Sequence, residues 1–389
     1  MKYKILTAFL VAGSLSVSCP GTAMAAGEDD ERQYTTIYAH KDDAGRVLEE
    51  QFLDEEGSLV LNEKGYALEK DGYDEKGQVI SRSYFDADER PVMITGGYAV
   101  IRNEYNEAGQ VSAVSYYDES EAPVLVGGYA RVEREYDKAG NISRETYFGT
   151  DGEPVLLADG YQMAEWTYDD AKRKLTERFY DASGEPVVTA KGYAGIDHEY
   201  DADGNATGDI YRNEAGEIAP LENGAAIIRR AFNDEKLKTE ESYFDADNQP
   251  VMITGGYAVI RNEYNEAGQV SAVSYFDESD EPVLVGGYAR VEREYDEAGN
   301  ISREKYYGTD GEPAALPDGY QMAEWTYDDA KRKLTERFYD ASGEPVVTAK
   351  GYAGIDHEYD EAGNATGDTY LDAAGEITPL ENGAAIIRR

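Results

Sequence analysis

The sequence predicts an all-β protein, an elongated antiparallel array of β-hairpins in a ribbon or solenoid-like arrangement with about 32 residues per unit. Three observations lead to this fold class. A Gly-Tyr-Ala-like signal recurs along nearly the whole chain, an aromatic-Asp-x-x-Gly turn motif occurs about twice per repeat, and the runs between turns are rich in aromatic and β-branched residues. Gly or Pro interrupts most longer windows, which disfavours helices.

The repeat is defined by one aromatic position whose successive copies lie 31 or 32 residues apart. Ala225 and Ala384 stand in two of its slots. The remaining slots hold tyrosines: Tyr34, Tyr66, Tyr98, Tyr129, Tyr161, Tyr193, Tyr257, Tyr288, Tyr320 and Tyr352. Residues 34–389 are therefore expected to form eleven tandem units plus a partial twelfth. Residues 84–230 recur without a gap as 243–389, so unit number is expected to vary without loss of the fold.

One unit illustrates the predicted layout. Tyr98–Tyr105 and Val111–Tyr117 are strand-like, Asn106–Gln110 and Asp118–Ala122 are turns, and Pro123–Val126 starts a short third segment. In turns of the aromatic-Asp-x-x-Gly type, such as Tyr136–Asn141 and Tyr180–Gly184, the Asp is expected to accept hydrogen bonds from backbone N–H groups two or three residues on. A Gly then supplies the positive φ of a bulge.

The strands predict a thin sheet rather than a thick aliphatic core. In Tyr129–Tyr136, Ala130, Val132 and Tyr136 share one face, and charged residues occupy the other. Aromatic doublets such as Tyr84-Phe85 place adjacent rings on opposite faces. Stacked tyrosine ladders are therefore expected, each cross-strand pair contributing about 0.2–1 kcal/mol.

The N-terminus predicts export. Lys2 and Lys4 precede an apolar stretch that is shorter than the roughly 20 residues of a spanning helix, and Ala23-Met24-Ala25 has the small-x-small pattern of a signal peptidase site. Residues 1–25 are interpreted as a signal peptide and 26–33 as a short linker, which makes the protein secreted or cell-surface. The alternative is a lipoprotein acylated at Cys19, the only cysteine.

A net charge of −42 limits the partners. Nucleic acid is excluded because its binding needs cationic side chains, and membrane insertion is not expected. The charge favours a neutral or cationic polysaccharide or a surface protein as partner.

The motif Tyr-Asp-x-x-Gly-Asn, at Tyr136–Asn141, Tyr200–Asn205, Tyr295–Asn300 and Tyr359–Asn364, resembles the YD repeats of the RHS family. The Tyr-Phe-Asp-x-x-x-x-Pro-Val pattern is also similar to aromatic repeats of cell-wall-binding and MORN-type proteins. The RHS resemblance implies antiparallel strands that spiral into a shell or ribbon, often on exported proteins. Carriers of such repeats usually add a self-cleaving core and a toxic C-terminal domain, neither of which is expected within residues 34–389.

No catalytic residue is predicted, because no nucleophile, phosphate-loop or metal motif surrounds His40, His198 or His357. No cofactor is expected, with calcium the one possible exception. Asp201, Asp203 and Asn205 alternate oxygen ligands beside a Gly, which fits either a weak calcium site or a plain turn.

The functional hypothesis is non-catalytic binding of an extracellular or cell-wall glycan through repeated aromatic faces, since flat amphipathic rings suit sugars. The candidate ligand-binding residues are Trp166, Trp325, Tyr116, Tyr117, Tyr147, Tyr180 and Tyr339. The alternative is a passive structural spacer, scaffold or protein–protein interaction module in which the rings are structural. Exposed rings would favour binding, and rings paired within the sheet would favour the scaffold.

Overall fold

The computed structural model describes residues 34–380 and 383–389, and within them the chain forms 23 β-strands and no helix. The strands are β1 Thr36–Lys41, β2 Val47–Leu53, β3 Leu68–Tyr73, β4 Val79–Phe85, β5 Val100–Tyr105, β6 Val111–Tyr117, β7 Arg131–Tyr136, β8 Ile142–Phe148, β9 Met163–Tyr168, β10 Lys174–Tyr180, β11 Gly195–Tyr200, β12 Ala206–Arg212, β13 Ile227–Phe232, β14 Lys238–Phe244, β15 Val259–Tyr264, β16 Val270–Phe276, β17 Arg290–Tyr295, β18 Ile301–Tyr307, β19 Met322–Tyr327, β20 Lys333–Tyr339, β21 Gly354–Tyr359, β22 Ala365–Leu371 and β23 Ile386–Arg388.

All strands belong to one open antiparallel sheet in which each strand pairs with the one before and the one after it. Among the described strands, every contact is between neighbours in the chain. The predicted all-β hairpin array is therefore confirmed, and its stability is built from nearest-neighbour interactions.

Pairing alternates between a long and a short register. Within a unit, β5 and β6 pair over their full length, with a bulge between Glu104 and Tyr105. Between units, β6 and β7 share only three residue pairs, Ala113–Glu133 to Ser115–Arg131. The short pairing leaves the end of the even-numbered strand to a third segment, described below.

The turn within each hairpin, the first turn, follows the sequence motif closely. In Tyr136–Asn141 the Asp137 Oδ1 accepts hydrogen bonds from Ala139 N at 2.8 Å and Asn141 N at 2.9 Å. Asn141 Nδ2 donates to Asp137 Oδ2 at 2.9 Å. The donors are thus two and four residues on, because the bulge adds one residue to the turn.

The fourth position of the first turn has a positive φ angle, which favours glycine and disfavours other residues there. Gly140 has φ 85°, and Lys172, Lys236 and Lys331 adopt φ of 62–63° at the equivalent position. A left-handed conformation is unfavourable for lysine, so in these units the surrounding pairing must hold the turn.

Each unit contains a third turn that the sequence did not predict. After the second turn, which follows the even-numbered strand, the third segment folds back along that strand: Pro123 bridges Tyr117, and Val124 N donates to Tyr116 O at 3.0 Å. In the next unit Gly160 N donates to Leu157 O at 2.9 Å, which closes the equivalent third turn. The third turn therefore reverses the chain just before the next aromatic slot.

The core is the thin layer between the sheet and these third segments. Val114, Val132 and Tyr147 are buried and pack against Val155 and Leu157 of the third segment. Ala130 and Val132 are 2% and 1% exposed, which confirms the predicted inward face of β7.

The predicted signal peptide of residues 1–25, with Cys19, and the linker 26–33 lie outside the described residues. Across the described part of the chain, no helix has the length and hydropathy needed to cross a membrane.

Deletion of residues 230–388, which removes five units, the offset between the two copies of the duplicated block, should leave a folded protein. Because strands contact only their chain neighbours, circular dichroism should show unchanged strand content per residue. The particle should be shorter by about 50 Å of contour, at roughly 4.8 Å per strand, as measured by small-angle scattering. Loss of folding on this deletion would instead require contacts between distant units.

Candidate functional site

The most extensive side-chain feature is a line of aromatic rings along one face of the sheet, which we name the aromatic ladder. Most units contribute the slot tyrosine before the first strand and one ring near the end of the second strand, as with Tyr129 and Tyr147, whose centroids are 5.1 Å apart. Twelve rings from Tyr34 to Tyr211 and nine from Tyr243 to Tyr370 stand in consecutive edge or tilted contact. These geometries are the favourable ones for aromatic pairs.

The rings of the aromatic ladder are largely covered by their neighbours in the fold. Tyr84, Tyr147, Tyr243 and Tyr306 are 6–7% exposed. Burial raises the pKa of the Tyr161 hydroxyl from its ordinary value of 10 to about 12. The ladder therefore offers ring edges and hydroxyls to its own neighbours rather than open faces to solvent.

The second ring of each doublet lies on the opposite face, as the sequence predicted, and forms the outer row. Arg102 lies 4.4 Å from the centroid of Tyr117, and Arg261 lies 4.3 Å from that of Phe276. These cation–π contacts cover part of the outer rings and hold positive charge on the sheet.

A further set of tyrosines, at the ends of six of the first strands, ties successive units together. Tyr136 Oη donates to Val111 O at 2.6 Å, and Tyr295 Oη donates to Val270 O at 2.7 Å. Each bond reaches into the preceding unit, so Tyr136 and Tyr295 are inter-unit anchors as well as the start of a Tyr-Asp-x-x-Gly turn.

Ala225 interrupts the aromatic ladder between Tyr211 and Tyr243. It is fully buried, and Ile228, Val251 and Ile253 pack around it in place of a ring. A chain of polar side chains spans the same stretch of the sheet.

This polar chain starts at Trp166. Its Nε1 donates to Glu177 Oε2 at 3.0 Å, and Glu177 Oε1 lies 3.1 Å from His198 Nε2. His198 Nδ1 lies 2.6 Å from Asp209 Oδ1, and Asp209 Oδ2 lies 2.8 Å from the Arg230 guanidinium. These five residues lie on five successive strands, from β9 to β13.

Arg230 continues the chain to Glu241 at 3.0 Å, and Tyr243 Oη donates to Glu241 Oε1 at 2.5 Å. The polar chain thus links both sides of the ladder interruption. The duplicated block repeats its first members, with His357 Nδ1 2.7 Å from Asp368 and Nε2 3.1 Å from Glu336.

Charge on His198 follows from this geometry. Hydrogen bonds to Asp209 and Glu177 raise the pKa of its imidazole to about 9. Burial would raise the pKa of Glu177, but hydrogen bonds from His198, Trp166 and Lys174 lower it to about 2. Both ring nitrogens of His198 face carboxylates, so neither is open to a substrate proton.

The predicted ligand-binding residues fall into three environments. Tyr116 and Tyr147 belong to the aromatic ladder. Tyr117, Tyr180 and Tyr339 are half-buried in the outer row. Trp166 and Trp325 lie on the ladder face and are half-buried, each with a lysine about 5 Å from its ring: Lys174 at 5.1 Å and Lys333 at 5.0 Å. The structure does not bring these residues together in one place, and glycan binding stays a prediction.

The predicted calcium residues lie in a first turn. Asp201 Oδ1 accepts from Asn205 N and Oδ2 accepts from Asn205 Nδ2, both at 2.8 Å. The Asp203 carbonyl accepts from Lys236 Nζ at 3.0 Å. In residues 34–380 and 383–389, no three His, Cys, Asp or Glu side chains are grouped as metal ligands. The turn itself therefore uses the Asp201 oxygens.

Sequence reasoning missed the polar chain. Glu177, Asp209 and Arg230 lie on three different hairpins, and no local motif joins them. The one available signal is that Trp166, His198 and Arg230 occupy the same position of successive units, about 32 residues apart.

Comparison with known proteins finds a similar fold but identifies no family. No family model and no curated protein matches the chain. Among solved structures it is similar to the crystal structure of TcdB2–TccC3 without its hypervariable C-terminal region, with 15% identity and a TM-score of 0.50. The match covers 90% of this chain and 17% of that chain. A Photorhabdus luminescens Tc holotoxin pore matches over 88% of this chain at 13% identity, but its TM-score of 0.27 is too low to support an argument.

The fold and the ladder therefore define an open antiparallel β-repeat array. At 15% identity the similarity concerns the fold alone. This chain spans about a sixth of the length of the structure it resembles, as its 17% coverage shows.

Tyr147→Ala should lower the free energy of unfolding by about 3–5 kcal/mol, because it removes a buried ring that contacts both Tyr129 and Tyr161. Tyr38→Ala is the matched control, since Tyr38 is 54% exposed, and should change stability by about 0.5 kcal/mol or less. Chemical denaturation followed by circular dichroism provides the measurement. Equal small effects would show that the ladder does not stabilise the array.

The pKa of His198 should be near 9 in an NMR titration of the folded protein, well above the ordinary histidine value of 6.5. Because the folded pKa is raised, the stabilisation is complete below pH 6.5 and is lost as pH rises through about 9. His198→Gln should therefore destabilise the protein more at pH 6 than at pH 9.5. Asp209→Asn should lower the His198 midpoint, and a wild-type midpoint near 6.5 would contradict the paired geometry.

Proposed function

We propose that this chain is an exported, non-catalytic structural scaffold of the RHS/YD-repeat type, which holds a long, modular β-sheet in a fixed form. The observation that carries the proposal is the aromatic ladder, which joins successive units ring to ring over most of the array. Its rings are used between units and leave no broad aromatic surface for a ligand.

Three further features support the scaffold. Strands contact only their chain neighbours, so length is set by unit number. Among the described residues, no fully buried side-chain polar atom lacks a hydrogen-bond partner. The similarity in fold to part of a TcdB2–TccC3 structure, whose name joins two components, is consistent with a role in a protein assembly.

The Tyr-Asp-x-x-Gly-Asn motif supports the RHS/YD assignment, and its Tyr and Asp have separate structural roles here. Export rests on the signal-peptide pattern of residues 1–25. The absence of thiols in the chain after Cys19 suits an oxidising compartment, because such a fold needs no protection from disulfide exchange.

Glycan binding remains the second candidate, and the outer row favours it most. Tyr117, Tyr180 and Tyr339 are only half-buried, and similar rings recur along the array. Many weak sites on one scaffold could hold a long polymer by avidity. The net charge of −42 would restrict such a polymer to a neutral or cationic one.

Affinity gels carrying neutral and cationic polysaccharides distinguish the two functions. The scaffold should pass unretarded, with and without calcium, whatever its unit number. A glycan binder should be retained, should lose retention steeply when residues 230–388 are deleted, and should weaken more in the Trp166→Ala/Trp325→Ala double variant than in Asp201→Ala. Retention of that second kind would overturn the scaffold proposal.

A further inference from the structure

The third segments carry a regular line of exposed aliphatic side chains. The position lies two residues after the one that bridges back to the even-numbered strand, as Leu125 follows Pro123. Six units place a large aliphatic residue there with at least 40% of its surface exposed: Leu61, Leu125, Leu156, Val188, Leu284 and Val347. We name this line the aliphatic row.

The aliphatic row is a distinct surface rather than random exposure. It accounts for six of the thirteen large hydrophobic side chains that are exposed in the described part of the chain. The residues on either side of Leu125, Val124 and Val126, are less exposed. In these six units the fold thus uses the flanking positions for packing and turns the middle residue outward.

The second turns place carboxylates beside this row. Each of the eleven second turns contains at least two Asp or Glu residues, and Arg90 is the only basic residue in them. Glu119 Oε1 accepts from Met93 N at 3.3 Å, and Glu278 Oε1 accepts from Met252 N at 3.3 Å. Met93 and Met252 occupy the position equivalent to the row in their own units, so in these two units the acidic turn of the following unit touches that position.

The fold leaves most of this negative charge uncompensated. On the strands, carboxylates pair with arginines, as in Arg134–Glu145 at 2.8 Å. Among the described ion pairs, only three involve second-turn carboxylates: Arg90–Asp88, Arg102–Glu121 and Arg261–Asp280. Exposed Glu153, Glu185 and Glu344 have no cation from their own chain in these pairs.

The combination of exposed aliphatics and unpaired carboxylates selects one kind of occupant. A second copy of this chain would bring like charge against like charge, and an anionic lipid surface would be repelled. We propose that this edge of the sheet is a docking surface for a cationic amphipathic polypeptide, whose apolar side chains cover the aliphatic row while its Lys and Arg face the second turns. This inference rests on the proposed scaffold role, since a continuous array supplies the row.

The spacing of the row fits an α-helical ligand. Two strands per unit at roughly 4.8 Å each separate successive row positions by about 10 Å. Seven residues of α-helix rise about 10.5 Å, so a heptad-spaced apolar stripe can meet successive units. Charge attraction would speed encounter, and the apolar contacts would supply the selectivity.

The probe is a 21-residue helical peptide of Lys and Leu with its leucines in heptad spacing, and its binding to the full-length chain is measured by fluorescence anisotropy at low salt. The triple variant Leu125→Ser/Leu156→Ser/Leu284→Ser should weaken binding by about tenfold or more. The matched control removes exposed aliphatics that lie close to the opposite, first-turn edge: Ile80→Ser/Leu175→Ser/Leu334→Ser. It should change affinity by less than about twofold.

A second pair of variants tests the charges. Four second-turn substitutions, each an exposed Glu→Gln, should weaken binding: Glu153, Glu185, Glu281 and Glu344. Four first-turn substitutions of the same type are the control and should have much less effect: Glu107, Glu266, Glu297 and Glu361. The two sets change the net charge equally, so general attraction to an acidic protein cannot produce a difference.

Two results would overturn the docking surface. One is equal loss of affinity from both members of either variant pair. The other is equal binding of a control peptide in which every Leu is Ser. Circular dichroism and scattering on the same variants report separately on the scaffold, so failure to dock in a correctly folded, full-length array contradicts this inference and leaves the scaffold role standing.

Discussion

The structure depends on the contact between aromatic rings of successive strands. A single unit has two ladder rings and cannot bury either of them alone, because each ring is covered by the other ring of its own hairpin and by a ring of one neighbouring hairpin. Adding a unit therefore buries the exposed end of the one before it, which couples neighbours without a global core. The tyrosine hydroxyls at the strand ends, such as Tyr136 to Val111 O, add a directional bond to the same neighbour and fix the spacing of units.

This architecture also determines where charge can lie. A chain with a net charge of −42 must limit self-repulsion, and the strands do so by facing carboxylates with arginines across the sheet, as in Arg144 Nε to Glu165 at 2.8 Å. Some first turns do the same, since Asp42, Asp169 and Asp328 each pair with an arginine of their own turn while also accepting backbone N–H groups. The first turns include basic residues such as Arg46, Arg173 and Arg332, whereas the second turns have almost none. One long edge of the sheet is therefore much more acidic than the other.

The interruption at Ala225 shows how a repeat tolerates a missing element. The aromatic ring is replaced by aliphatic packing from Ile228, and the link between neighbouring hairpins passes to ionised side chains from Glu177 to Glu241. Such a polar chain is stable only if every member is paired, and here His198 has a carboxylate at each nitrogen. The exchange of a ring contact for a charge network gives this part of the array a pH dependence that the ring contacts lack.

The sequence by itself determined the repeat, the strands and the turn chemistry, because these depend on residues close together in the chain. Period, Asp-x-x-Gly turns and alternating faces, as in β7, all follow from local geometry. The sequence also predicted that the strands with aromatic doublets carry rings on both faces. Only the tertiary structure decided which rings are covered, since Tyr147 and Phe148 are equivalent by pattern but the third segment packs on one face alone. The polar chain and the aliphatic row likewise needed the structure, because their members are separated by whole units and become neighbours only when the hairpins stack.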